Sequence, residues 1–259
     1  MVVTPSSVGW VPDGAWLTPR YAEWRPPAAL RGAVACLWAS VAPDGDGRDG
    51  LVLPDGCCDL IWDAGVGGYV AGPDTGPVRT GPTVGVVTVG ARFRPAAGGP
   101  VFGLPLSELR DQRVSLASLL PAQARSLTPA LSPDAAAARL LDVTGRLVCD
   151  SNQDPAAARV AALLRDPAAR TEDVAARTGL SERQLRRRVH AAAGYGPKTL
   201  QRVLRFQRFV RLLDASPALP DLAATAAEAG YADQPHLTRE CRALSGHTPA
   251  ALHRLRRPA

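Results

Sequence analysis

Over the first hundred or so residues, short apolar runs alternate with clusters of Gly, Pro and Asp. The runs are Ala33–Val41 (AVACLWASV), Cys58–Trp62 (CDLIW), Gly68–Ala71 (GYVA), Val84–Val89 (VGVVTV) and Val101–Leu104. Runs of this length between turn signals predict strands of a sandwich or barrel. Ala42–Gly50 (APDGDGRDG) reads as a polar loop between strands. No helical pattern separates the runs, so a parallel α/β sheet is not expected.

After Leu104 the period lengthens. Short helices are expected from Ser107 (SELRDQ) and from Ser115 (SLASLL), and a longer one over Asp134–Leu147, with Leu140, Leu141, Val143 and Leu147 available for packing. That helix suits either a dimer contact or packing inside its own domain. Asp154 followed by Pro155 signals a further helix start, with Val160, Leu163 and Leu164 on its buried stripe.

From Thr171 to Gly194 the chain reads TEDVAARTGLSERQLRRRVHAAAG. Thr171 suits a helix cap, Gly179 a sharp turn and Ser181 a second cap. Leu185 and Val189 share a buried face at i, i+4 spacing. The other face carries Arg183, Gln184, Arg186, Arg187 and Arg188. Two short helices around a glycine, the second strongly basic, predict a helix-turn-helix whose second helix fits the major groove. A second copy follows at Leu222–Leu244, with Gly230 in the place of Gly179, Tyr231 of Leu180, Asp233 of Ser181, Leu237 of Leu185 and Arg239 of Arg187. Between the copies a helix is expected over about Lys198–Asp214, roughly 25 Å long. Its packing face holds Leu200, Val203, Leu204, Gln207, Val210 and Leu213, and another face holds Arg202, Arg205, Arg208 and Arg211. A strut of that length can hold two recognition helices about one DNA turn apart. A closing helix is expected from Thr248-Pro249 to about Arg257.

Charge sharpens this picture. The net charge is +6 over 259 residues. From Pro167 onward there are 16 Arg and Lys against 8 Asp and Glu, whereas the earlier part has 14 against 16. A basic segment joined to a near-neutral one fits a nucleic-acid binder with a separate sensing or assembly domain.

The stretches VAARTGLSERQLRRRV and AEAGYADQPHLTRECRALSGHTPAALHR resemble the AraC/XylS family of transcription regulators over roughly Asp154–Arg257. The resemblance implies an all-helical domain that contacts two successive major grooves of double-stranded DNA, with RNA polymerase as a further partner. Carried over by position, Arg183, Arg186 and Arg187 face bases and phosphates in the first unit, and Gln234, His236 and Arg239 in the second. Val189 and Cys241 stand where large aromatics are usual, and Thr225 where an aliphatic is usual. The stretches LPDGCCDLIW, YVAGPDT, VGARFRPAA and LPLSELRDQRVSL also resemble a sensory domain found on some members of that family. This implies an effector or assembly domain, with a cupin-like barrel as one form of it.

The expected fold class is therefore α+β. Residues 1–118 are read as a β-rich effector or assembly domain, 119–150 as a helical linker or dimer contact, and 154–259 as the DNA-binding domain. Arg92 and Arg94 flank Phe93, and with Trp62 as a stacking surface they could grip an anionic effector; the competing reading pairs them with Asp59 or Asp63. All four histidines, His190, His236, His247 and His253, lie in the C-terminal half, which argues against a metal-dependent cupin enzyme. Cys57 and Cys58 raise the alternative of a DNA-binding repair or redox-sensing protein, yet adjacent strand residues point to opposite faces. An odd count of five cysteines implies no disulfide framework. No cofactor or metal is expected. The first residues lack a leader pattern and no run of about 18 apolar residues occurs, so a soluble cytoplasmic protein, a binder rather than an enzyme, is expected.

Overall fold

The computed structural model describes residues 21–41, 50–80 and 86–256. The polar loop expected at Ala42–Gly50, apart from Gly50, and the start of the Val84–Val89 run lie outside these residues, as do residues 1–20.

The N-terminal region is built on β1 (Tyr21–Trp24), β2 (Val34–Val41), β3 (Gly50–Val52), β4 (Cys58–Asp63), β5 (Gly67–Ala71), β6 (Val78–Thr80), β7 (Val87–Phe93) and β8 (Arg113–Ser115). Six of them form one sheet in the order β1-β2-β7-β4-β5-β8, and β3 pairs with β6 apart from it. Every pairing is antiparallel. Among the described residues the sheet is open, with β1 and β8 at its edges, rather than closed into a cupin-like barrel. The alternation along its strands sorts the side chains. Leu37, Leu60, Trp62, Val89, Ala91 and Phe93 lie in the main core, while Cys36, Trp38, Ile61 and Ala71 form a smaller cluster on the other face. Trp38 lies flat against Gly90, where a Cβ would come within 2.2 Å of its ring.

Short helices α1 (Gly98–Phe102), α2 (Leu116–Leu119) and α3 (Pro121–Ala124) lead into α4 (Pro133–Asp150). Val101–Leu104, read as a strand run, is the end of α1 and the turn after it; five residues are too few to display a helical period. Helix α4 packs across β7 and β4. Its apolar positions Leu140, Leu141, Val143 and Leu147 are all buried in the N-terminal core, so the helix forms the layer that covers the sheet.

The C-terminal region is all helical: α5 (Pro155–Leu163), α6 (Thr171–Thr178), α7 (Glu182–Ala193), α8 (Pro197–Ala215), α9 (Leu222–Ala229), α10 (Gln234–Ser245) and α11 (Pro249–Arg256). Asp154 caps α5 by accepting from the N–H groups of Ala156 and Ala157. Helix α8 runs through the middle and packs on α7, α9, α10 and α11. Phe206 and Phe209, which the sequence reading passed over, are fully buried there with Leu200, Val203 and Leu213. Buried Thr225 satisfies its hydroxyl on the Asp221 carbonyl at 2.6 Å, which is how a polar residue is accommodated at an aliphatic position.

The two regions pack together. Leu51, Leu53 and Ala96 join the C-terminal core, and Gln207 Nε2 donates to the Pro54 carbonyl at 2.7 Å. Among the described residues no helix is long and apolar enough to cross a membrane.

Candidate nucleic-acid interface

The two helix-turn-helix units are built by the same local chemistry. Gly179 (φ 67°) and Gly230 (φ 91°) end α6 and α9 in the left-handed conformation, which glycine adopts without steric cost. Ser181 and Gln184 form a reciprocal capping box at the start of α7, and the Asp233 carboxylate accepts from the His236 N–H at 2.6 Å at the start of α10. Helices α6 and α9 are 51 residues apart, as are the two glycines, but α7 and α10 are 52 apart. The second turn holds one extra residue between Tyr231 and its cap. Thr171 is not the cap of α6: Arg170 occupies that position, with no side-chain hydrogen bond to the helix.

On α7, Leu185, Val189, Ala192 and Ala193 are buried. Arg183, Arg186, Arg187 and His190 are exposed at spacings of three, four and seven residues, which align them as one stripe. Arg186 lies 3.3 Å from Glu182 on the same exposed face, a pairing of little energetic weight. Arg188 points elsewhere and pairs with Asp154 at 2.7 Å. Gln184 is exposed, but its carboxamide oxygen accepts from the Ser181 N–H and hydroxyl. That ties it to the cap and leaves only its NH₂ for a partner.

Beside the stripe lies a groove of about 700 Å³ lined by Thr171, Arg186, Arg187, His190, Lys198 and Thr199, among others. The first turns of α6 and α8 open onto it. Neither helix has a side-chain cap at its N-terminus; Glu172 and Asp173 occupy the first turn of α6, and α8 begins with Pro197.

In the second unit Gln234 and Arg239 are exposed and His236 is half-buried. The His236 ring meets Tyr231 edge-on at 5.2 Å, and its Nδ1 accepts from Ala232 N–H at 3.5 Å. Tyr231 in turn lies under the Arg205 guanidinium, 5.4 Å from the ring centroid, and Arg205 also donates to the Gly230 carbonyl. Two of the four arginines on α8 thus brace the second unit, because Arg202 pairs with Glu240 of α10 at 2.5 Å.

The grouping of Trp62, Arg92 and Arg94 around one effector is corrected by the sheet. Trp62 is on the core face, fully buried, and donates to the Thr128 carbonyl at 2.8 Å. Arg92 is opposite Asp59 on the other face and lies 3.3–3.4 Å from Glu23, Asp55 and Asp59. Arg94 has left the strand and donates to the Arg31 carbonyl at 2.8 Å. The alternation that places Arg92 and Arg94 on one side necessarily puts Trp62 on the other, because Trp62 pairs with Val89.

Cys58 is buried in the core and Cys57 is half-buried on the other side. Burial pushes both thiols well up, and for Cys57 the Asp55 carboxylate adds to it. They are held as thiols, the unreactive form. Among the described residues no group of three His, Cys, Asp or Glu could hold a metal ion.

This pair of capped, tandem units defines a helix-turn-helix DNA-binding domain. Residues 174–255 match the family model described as a helix-turn-helix domain, and residues 22–115 the one described as a domain of unknown function (DUF6597). A solved structure described as a probable AraC family transcriptional regulator from Rhodopseudomonas palustris is 24% identical, its whole length matching 40% of this chain with a TM-score of 0.35. ToxT from Vibrio cholerae is 9% identical, over 84% of this chain and 97% of its own, with a TM-score of 0.46. No curated protein matches the chain.

Proposed function

We propose that the protein is a sequence-specific transcription regulator that inserts α7 and α10 into successive major grooves. The observation that carries this reading is the groove beside α7, where Arg186, Arg187, Lys198 and His190 converge. A DNA phosphate is the anion that such a cluster of cations suits. Arg183, Arg186 and Arg187 read bases or grip phosphates in one half-site. Gln234 and Arg239 do so in the other, with His236 beside them, while Gln184 acts mainly through the cap. The 19 residues of α8 make a strut of about 28 Å, close to the roughly 34 Å between half-sites one DNA turn apart. The sheet domain serves as an effector or assembly module, and RNA polymerase, a small-molecule effector and a second copy of the chain are the partners this role implies.

Selection from a random duplex pool tests the reading. It should enrich two short elements about 10 base pairs apart. Arg239→Ala should relax preference in only one of them, by about 1–3 kcal/mol at one base pair. Affinity should fall with salt at a log–log slope of about −0.9 per phosphate neutralised. Binding without any preferred sequence would instead mark an architectural protein.

A further inference from the structure

Helices α7 and α10 are built to one pattern, 52 residues apart. The caps Ser181 and Asp233 and the closing glycines Gly194 and Gly246 keep that offset. So do the buried pairs Leu185 with Leu237 and Val189 with Cys241. Side chains committed inside the protein keep it too. Arg188 pairs with Asp154 at the start of α5, and its equivalent, Glu240, pairs with Arg202 of α8. Gln184 accepts from the Ser181 N–H, and the ring of its equivalent, His236, accepts from the Ala232 N–H. The offset therefore fixes what stands in α10 where α7 carries its outward arginines. Pro235 replaces Arg183, Thr238 replaces Arg186, and Arg239 matches Arg187. Pro235 and Arg239 are exposed and Thr238 is half-buried. Neither Pro235 nor Thr238 is charged, so a search for cations passes over both.

The two stripes offer different chemistry. That of α7 presents guanidinium N–H donors, and the base edge with two adjacent acceptors is guanine, at O6 and N7. The carboxylate of that helix, Glu182, pairs with Arg186; an acceptor there suits the cytosine N4 amine, which belongs to the same base pair. On α10 a pyrrolidine ring and a threonine methyl share the stripe with the guanidinium of Arg239. Apolar carbon in the major groove recognises the C5-methyl of thymine. We propose that Pro235 and Thr238 are specificity-determining residues that read thymine methyl groups. The element under α10 then carries thymine beside a guanine for Arg239, whereas the element under α7 is built from G·C pairs. The site is directional, because the two units cannot exchange elements. This inference rests on the DNA-binding reading above and adds base identity to it.

The duplex selected by the full chain tests it. The element that Arg239→Ala relaxes is the one under α10. Exchanging its thymines for deoxyuridine removes the C5-methyl and leaves every hydrogen-bonding group of the base edges in place. Affinity should fall about fourfold per contacted methyl, and the same exchange in the other element should change nothing. In the element under α7, 7-deazaguanine, which lacks the N7 acceptor, should weaken binding about fivefold or more. Thr238→Ser keeps the hydroxyl and loses the methyl, so deoxyuridine at its thymine should cost this variant nothing further. Pro235→Ser should cancel the deoxyuridine effect at a different thymine. Both variants should bind the deoxyuridine duplex as the wild type does, which separates a lost methyl contact from a lost fold. An element under α10 without thymine, undiminished affinity for the deoxyuridine duplex, or the same loss in wild type and both variants would each overturn the methyl reading. An A·T-rich element under α7 overturns the guanine assignment. A pool that yields no preferred sequence removes the regulator reading and this inference with it; every other adverse result removes the inference alone.

Discussion

Asp154 shows how much one side chain holds here. Its carboxylate caps α5 and also fixes Arg188 of α7. Burial raises its pKa, but the Ala157 and Ala156 N–H groups and the Arg188 guanidinium outweigh that, and the net direction is down. A lowered folded-state pKa means that the stabilisation is present above the ordinary aspartate range and is lost as pH falls below it. Asp154→Asn keeps the cap chemistry and removes the ion pair, which is partly exposed and worth about 0.2–1 kcal/mol. Urea titrations should therefore show the wild type ahead of Asp154→Asn by that amount at pH 6, with the lead shrinking as the pH is taken below the ordinary aspartate range. The cap was legible as an Asp-Pro start, but the partner was not, since Arg188 is 34 residues away. The cysteines give a second check. With Cys57 and Cys58 held as thiols and Cys149 exposed, iodoacetamide at pH 8 should label Cys149 first by peptide mass spectrometry. Rapid labelling of Cys57 would reopen the cysteine-chemistry alternative.

At the scale of elements, the helical half was legible because helices announce themselves locally. The caps at Asp154, Ser181 and Asp233 and the glycines at 179 and 230 fall where the period required them. The sheet was less legible. Strands β1, β3, β6 and β8 have three or four residues each, too few for alternation to register, and openness is decided by pairing between distant segments. The sequence likewise made the two turns look equivalent, and the structure separates them. A Cβ on Gly179 meets nothing within 4 Å, whereas one on Gly230 falls 2.2 Å from the Pro167 side chain. Gly179→Ala should cost only the left-handed backbone penalty, about 1 kcal/mol. Gly230→Ala should cost a further 1–3 kcal/mol or so for the overlap. Thermal melts of the two variants check this, and equal losses would mean that the α5–α6 connection yields to the added methyl.

At the scale of the whole molecule, the sheet domain and the helix-turn-helix domain meet at α7 itself. Gly99 of α1 packs so closely on α7 that a Cβ would lie 2.5 Å from the Ala191 carbonyl oxygen and 3.0 Å from the Ala192 Cα. Both atoms are backbone inside a helix and cannot rotate away. Gly194, at the end of α7, is confined in the same way by Pro73 and the Leu106 carbonyl. A composition reading sees only a glycine-rich turn at 98–99, because what makes Gly99 necessary lies 92 residues on. Gly99→Val should force the domains apart at a cost of about 1–3 kcal/mol, which is roughly tenfold to a hundredfold in the docking equilibrium. The connecting segment 151–154 carries acidic residues at each side, Asp150 and Asp154. Cleavage there by a protease that cuts after acidic residues should accelerate by about that factor, while the helical fragment released keeps its far-UV circular dichroism. Unchanged cleavage would show that the joint is held mainly by the Pro54–Gln207 side of the interface. In that case α7 is not the element through which the sheet domain would act on the proposed DNA interface.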